Sequence, residues 1–264
     1  MPFARINHSV HHYVLTGAKD KPALLFANSL GSDLHIWDEV ADLLGGHFRI
    51  VCYDKRGHGL SEALAPPYTI NDLSEDVLGL LDAVKIEQAV ICGISVGGLI
   101  AQALALSHPE RVRGLVLSDT GARIGSVESW EQRIATVRAG GLGSLEAPTM
   151  ERWFSRQFRE RHDAAICGYS TMLLKTAPDG YIGTCCALRD ADFHATGSQI
   201  KSPTLVVCGS EDIATPPELG RELASLIAGA EFSLVEGAGH LPCIEKPLLM
   251  TERMLKFFRE VQIV

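Results

Sequence analysis

The stretch AVICGISVGGLIAQALAL, residues 89–106, decides the fold. It opens with an unbroken apolar block, AVIC, which predicts a strand buried on both faces. It closes with GLIAQALAL from Gly98, which predicts a buried helix. Between the two lies Gly93-Ile94-Ser95-Val96-Gly97, a G-x-S-x-G pentapeptide at a strand-to-helix turn. A turn that sharp holds Ser95 in a strained backbone conformation and tolerates only small neighbours at 93 and 97. It also lifts the hydroxyl clear of the sheet, at a helix N-terminus whose field favours developing negative charge. A plain glycine-rich turn with a capping serine could carry the same five residues. The strand before and the helix after favour a nucleophile.

Similar apolar blocks recur at 23–28, 48–54, 114–119, 203–209 and 230–236, after a hairpin-like start over 3–17. Helical periodicity separates them. Residues 70–84 carry Leu73, Val77, Leu80, Leu81 and Val84 on one face, with Asn71 or Ser74 available as a cap. Residues 217–227 and 248–258 read similarly. Strands alternating with helices predict βαβ units and a mostly parallel sheet. The rhythm breaks over 121–196, where no strand-like block occurs and aromatic and basic residues cluster (Trp130, Arg133, Trp153, Phe154, Arg156, Phe158, Arg159, Arg161). A structureless loop of that length is foreign to a compact domain. The segment 121–196 is therefore expected to be a helical cap inserted into an α/β core formed by 1–120 and 197–264.

Composition bounds the function. The 264 residues suit one large α/β domain, and 46% hydrophobic content can bury a large core. A formal net charge of −8 argues against nucleic acid or an anionic membrane as partner. An anionic substrate would need local basic residues to overcome that field. The start, MPFARINHSVHHYVLTG, lacks an apolar run and cleavage pattern, so no signal peptide is expected. The seven cysteines are odd in number and contain no C-x-x-C, which points to a reducing, cytoplasmic setting. The sequence carries no marker of an oligomeric state.

A serine nucleophile needs a base, and the base an orienting acid. With the nucleophile on such a turn, the partners follow in the chain order Ser, Asp or Glu, His. Of the ten histidines, His240 stands just after the last strand block, behind the small residues Gly237-Ala238-Gly239. Asp212 follows the 203–209 block and precedes Thr215-Pro216-Pro217; it ranks ahead of Asp119, which ends an earlier strand, and of Glu211. His8, His11 and His12 are expected to be exposed hairpin residues without a carboxylate partner. His58, in the glycine-rich DKRGHGLS run, is expected to bond backbone, and His108 to lie at the surface. An oxyanion would be met by the backbone N–H of Val96 and by that of Leu30, in the loop after the 23–28 strand.

With Ser95, Asp212 and His240 in that order, the chain resembles the α/β-hydrolase superfamily over essentially its whole length. Within it, the chain looks like the 3-oxoadipate enol-lactonases of the β-ketoadipate pathway. The resemblance is carried by NSLGSDLHIWD (28–38), DKRGHGLS (54–61), CGISVGGLIAQ (92–102), LVLSDTGARIGSVESWEQRI (115–134), GYIGTCCALRDADF (180–193) and SEDIATPPELG (210–220). The two cap segments are the specific ones. Asn28-Ser29 stands where many superfamily members have His-Gly, and Val96 where Met or Gln is common. Neither exchange removes a backbone donor. The resemblance implies an eight-stranded, mostly parallel sheet, Asp119 as the alternative acid position, and hydrolysis of 3-oxoadipate enol-lactone without metal or organic cofactor. It leaves open whether Ser95 forms an acyl-enzyme or only assists direct attack by water. The substrate carboxylate calls for an arginine fork. Arg133 is the first choice, with Trp130 as its apolar wall, and Arg189 and Arg123 are alternatives. Other chemistries on the same triad are a promiscuous esterase, a haloperoxidase-like enzyme and a C–C hydrolase. A non-catalytic ligand receptor is the reading from another class.

Overall fold

A computed structural model describes residues 2–264. The strands are β1 Phe3–Ile6, β2 Ser9–Thr16, β3 Ala23–Ala27, β4 Arg49–Tyr53, β5 Ala89–Ile94, β6 Val112–Ser118, β7 Thr204–Gly209 and β8 Glu231–Val235. They form one eight-stranded sheet in the order β1-β2-β4-β3-β5-β6-β7-β8. The first two strands run antiparallel and every pairing from β4 to β8 is parallel. β3, β5 and β7 are buried at every position, as unbroken apolar blocks require. Each such aliphatic side chain contributes roughly 1.5–3 kcal/mol on burial. β8, at the sheet edge, is only half covered along most of its length.

The helices of the core are α1 Asp38–Leu44, α2 Ile70–Ala83 and α3 Val96–Ser107. α2 is capped by Thr69, two residues before Asn71 and five before Ser74: Thr69 accepts from the Asp72 N–H, and the Asp72 carboxylate returns the bond to Thr69 N–H. This capping box leaves Asn71 and Ser74 inside the helix. Between β6 and β7 the chain is entirely helical or looped. It forms α4 Val127–Gly140, α5 Glu146–Trp153, α6 Arg156–Arg161, α7 Asp163–Leu174 and α8 Pro178–Asp190. The fold ends with α9 Pro217–Leu226, α10 Pro242–Glu245 and α11 Pro247–Glu260. α7 and α8 pack down on the β3–α1 loop, where a Cβ on Gly31 would meet Leu173 Cδ1 at 2.6 Å and Tyr181 Cε2 at 3.2 Å.

The expectation of exposed hairpin histidines fails for two of the three. His11 is buried beside Ser9 and Asp76, and His12 bonds Asp54 at 2.8 Å. Their carboxylate partners come from the β4–α2 region, tens of residues away, and no local pattern could reveal them. His58 bonds the Arg56 carbonyl at 3.1 Å, and His108 pairs with Glu75 at 3.0 Å.

The register sets the site. Ala27 pairs with Gly93, Ile94 with Ser118, and Gly209 with Val235. The residues that follow those pairs therefore emerge side by side at the C-terminal edge, where ligands bind in open parallel sheets. Backbone bonds carry the ladder past the strand ends: Ser95 N–H to Ser118 O, Asp119 N–H to Val207 O, Glu211 N–H to Ala238 O.

Candidate active site

Ser95 sits between β5 and α3 with φ 58° and ψ −121°, a conformation that costs an L-residue energy. The turn closes only because its neighbours are glycines. A Cβ on Gly93 would lie 2.1 Å from Gly97 O, and one on Gly97 would lie 2.1 Å from Ala27 O. Ser95 opens α3, yet its side chain makes no capping bond. Among the described residues its hydroxyl has no hydrogen-bond partner, so the structure removes the capping-serine alternative. The side chain instead faces a cavity that His240 also lines.

The two residues ranked as base and acid are in contact. His240 Nδ1 meets Asp212 Oδ2 at 2.9 Å, and both side chains are buried. Asp212 is held from three further donors: the N–H groups of Ala214 (2.7 Å) and Thr215 (3.0 Å) reach Oδ1, and the Thr215 hydroxyl reaches Oδ2 at 2.6 Å. Thr215 Oγ1 is also 3.2 Å from His240 Nδ1. Burial pushes the Asp212 carboxyl up, but His240 and the Thr215 bonds outweigh it and hold the carboxyl below the usual range. On its far side His240 Nε2 lies 3.4 Å from the Ser29 hydroxyl. Thr215 and Ser29 were not anticipated in these contacts.

Asp119 lies behind this pair, buried, at φ 45°. It accepts from Gly209 N–H at 2.8 Å and from the Ser118 hydroxyl at 2.5 Å, and does not bond the imidazole. Burial first, then the Asp212 charge, drive its carboxyl well above the usual range. Burial beside an anion thus favours the proton on Asp119, while the His240 and Thr215 bonds favour the ionised form of Asp212. Asp119, Asp212 and His240 each present one ligand-type atom within 4.8 Å of the others. The carboxyl oxygens and Nδ1 of that cluster already meet protein hydrogen-bonding groups, so it is arranged for proton bonding.

The N–H of Val96, first residue of α3, has no acceptor within the helix. The N–H of Leu30 has no protein acceptor among the described residues, and Leu30 lines the cavity beside Ser95. The Asn28 side chain braces the loop by donating to Ser32 O at 2.6 Å.

The roof comes from α4, α5 and α8. Trp130 anchors its indole N–H on Ile124 O at 2.6 Å, and the Arg133 guanidinium lies 5.3 Å from its ring centroid. Arg133 also reaches the Tyr181 hydroxyl at 3.5 Å. Arg152, from α5, lines the same cavity and went unread in the sequence because it stands one position off the buried stripe of Thr149, Met150 and Trp153. Burial and the neighbouring Arg133 charge lower its guanidinium. Among the described residues neither arginine has a carboxylate partner. Arg189 and Arg123 lie elsewhere: Arg189 grips Asp190 with two bonds at 2.8 and 2.9 Å, and Arg123 pairs with Asp192 at 3.4 Å. Both face outward and line no part of this cavity.

The helical segment is tied to the His240 loop through Glu245. Its carboxylate accepts from Gly239 N–H (2.8 Å), Ser155 N–H (3.1 Å) and the Ser155 hydroxyl (2.5 Å). Glu245→Ala should cost about 1.5–3 kcal/mol, the range for hydrogen bonds to a charged group, and lower kcat by loosening the loop that carries His240. Thermal melts alongside turnover check this; an unchanged Tm with unchanged kcat would count against the clasp.

Comparison with known proteins places the fold in a family. The family model for the alpha/beta hydrolase fold matches residues 22–145 and 171–247. The 3-oxoadipate enol-lactonase 2 of Acinetobacter baylyi is 36% identical over 236 residues, covering 89% of this chain and 88% of that protein. The 3-oxoadipate enol-lactonase 1 of the same organism is 35% identical, covering 94% and 92%. The crystal structure of the enol-lactonase from Burkholderia xenovorans superposes with a TM-score of 0.95 at 39% identity, covering 98% of this chain and 100% of that one.

Proposed function

As a member of the alpha/beta hydrolase fold family this chain is a hydrolytic enzyme, and we propose that it opens 3-oxoadipate enol-lactone to 3-oxoadipate. We assign Ser95 as nucleophile, His240 as general base and Asp212 as the acid that orients it. The reaction belongs to the breakdown of protocatechuate and catechol, and the similarity to named enol-lactonases supports that reading. The observation that carries the substrate class is electrostatic. Arg133 and Arg152, without carboxylate partners, face the cavity that holds Ser95 and His240. Two like charges in a half-buried site favour an anion between them, and a carboxylate matches the guanidinium fork.

The steps follow from the assigned parts. Ser95 Oγ attacks the lactone carbonyl as His240 Nε2 takes the hydroxyl proton. Catalytic hydrogen bonds of this kind often tighten only in the substrate complex. The N–H groups of Leu30 and Val96 meet the tetrahedral oxyanion. The acyl C–O bond to the ring oxygen then breaks, and the enolate leaves with the proton from His240. The enol relaxes to the ketone. Water, deprotonated by His240, attacks the acyl carbonyl; the carbonyl–Oγ bond breaks, and His240 returns the proton to Ser95 Oγ as the acid is released. Direct attack by water, with Ser95 only polarising the carbonyl, is the competing sequence. No step calls for a metal or organic cofactor. The unpaired cysteines fit a reducing compartment and support a cytoplasmic enzyme; no helix among the described residues is long and apolar enough to cross a membrane.

The test pairs an anionic with a neutral substrate. Arg133→Ala and Arg152→Ala should each raise KM for the lactone roughly 10- to 100-fold, as loss of a charge-assisted pair does. Hydrolysis of p-nitrophenyl acetate should change little. If the neutral ester were cleaved far better than the lactone and both variants kept their lactone KM, a promiscuous esterase would be the better description.

A further inference from the structure

We propose that Lys55 is a positioning residue for the oxyanion site, holding and polarising the Ser29–Leu30 peptide so that Leu30 N–H meets the oxyanion as a stronger donor. The proposal rests on the role given to Leu30 above. Lys55 follows β4 and is 1% exposed, among the largest wholly buried side chains of the chain. Its Nζ donates to Ser29 O in a short bond and to Ser32 O at 3.3 Å. Among the described residues it has no carboxylate within ion-pair distance.

The loop does not need this ammonium to satisfy its carbonyls. Ser29 O also accepts from the Ser32 hydroxyl at 3.0 Å and from Ser32 N–H at 3.3 Å. Ser32 O also accepts from Asn28 Nδ2 at 2.6 Å. A buried charge with no ion-pair partner is costly, and a lysine that serves only shape could be replaced by methionine at no loss. The position of the charge supplies a reason for it. Ser29 C=O and Leu30 N–H belong to one planar peptide. A cation bonded to the oxygen draws electron density from the nitrogen, so the N–H on the opposite edge becomes a better donor. The same bond fixes the peptide plane, and with it the direction of that N–H.

The titratable groups around Lys55 are Asp54 just after β4, Asp33 in the loop before α1, and His58 in the loop after β4, whose imidazole burial and Lys55 itself push well below its ordinary value. Burial pulls the ammonium down to about 7 against the raising effect of Asp54 and Asp33. Its charge is therefore present below that range and lost as pH rises through it. For stability the sign is opposite to a salt bridge. The fold binds this proton less well than the unfolded chain does, so stability rises between about pH 7 and the ordinary lysine pKa of about 10.4.

The experiment is Lys55→Met in the full chain, with Ser95→Ala measured beside it on the enol-lactone. The expected result is a kcat roughly 10- to 100-fold lower, less than the loss of a whole oxyanion donor, at a KM within about twofold and an unchanged or higher Tm. The kcat of the parent enzyme should fall as pH rises through about 7, and the variant should lack that fall. Parent-like kcat, or kcat lost together with Tm, would overturn the proposal. Should the methionine variant not fold, Lys55→Gln carries the same expectations; failure of both to fold also overturns it, because the charge is argued to be dispensable for folding. An inert Ser95→Ala with a fully active Lys55→Met would sink only the lysine proposal. An active Ser95→Ala would sink the nucleophile on which it stands.

Discussion

Ser95→Ala should lower kcat on the enol-lactone by roughly 10⁴–10⁶, the scale seen when a triad serine is removed. Stability should hold. Alanine keeps the Cβ that already fits the turn, and the hydroxyl has no hydrogen-bond partner to lose among the described residues. The strained backbone is imposed by Gly93, Gly97 and the strand ladder rather than by the serine hydroxyl. A kcat loss at constant Tm therefore separates chemistry from folding. A serine-directed phosphonate should add its mass to the peptide containing Ser95 in the parent and not in the variant. Rapid-quench mass spectrometry should also trap an acyl-enzyme on Ser95 if the serine attacks the carbonyl. Turnover with no trapped adduct but full dependence on Ser95 would favour direct attack by water. Undiminished turnover in the variant would falsify the assignment itself.

What could be read from sequence alone divides by range. Ser95 was legible because a strand block, two close-packing glycines and a helix are adjacent in the chain. His240 and Asp212 were legible because each follows its own strand block by a few residues, and the parallel register then delivers them to one edge. Trp130 and Arg133 were legible as a one-turn pair on α4. Arg152 was not, because it stands one position off the buried stripe of α5 and its neighbour in space, Arg133, lies on a different helix. Arg189 misled for the converse reason. It sits in a specific-looking segment, but Asp190 beside it takes up its fork. Lys55 had no local signal at all, since its partners Ser29 and Ser32 belong to a loop met only when β3 and β4 pair. The buried pairs of His11 with Asp76 and His12 with Asp54 are of the same kind.

The second large effect concerns the two aspartates. Asp212→Asn should lower kcat by roughly 10⁴, by analogy with the acid-to-amide exchange in serine proteases, because an amide stabilises neither the tautomer nor the imidazolium. Asp119→Asn should leave kcat near the parent value. A protonated carboxyl at Asp119, the form that burial favours, and a primary amide are nearly the same shape, and either can keep the contacts with Gly209 N–H and Ser118. Stability adds an independent check, with opposite signs for the two residues. Asp119 binds its proton more tightly in the fold than in the unfolded chain, so its contribution is fullest at low pH and is lost as pH rises from the ordinary carboxylate range. Asp119→Asn should therefore flatten that decline and raise Tm at neutral pH. Asp212 is held below its ordinary range, so its contribution is present at neutral pH and lost as pH falls through the depressed value. Asp212→Asn should lower Tm at neutral pH and make the melt less sensitive to acid. Tm against pH for the two variants, read beside kcat, separates an orienting anion from a neutral acid packed behind it. Full activity in Asp212→Asn and collapse in Asp119→Asn would exchange the two roles, because a carboxyl that must ionise to orient His240 cannot be replaced by an amide.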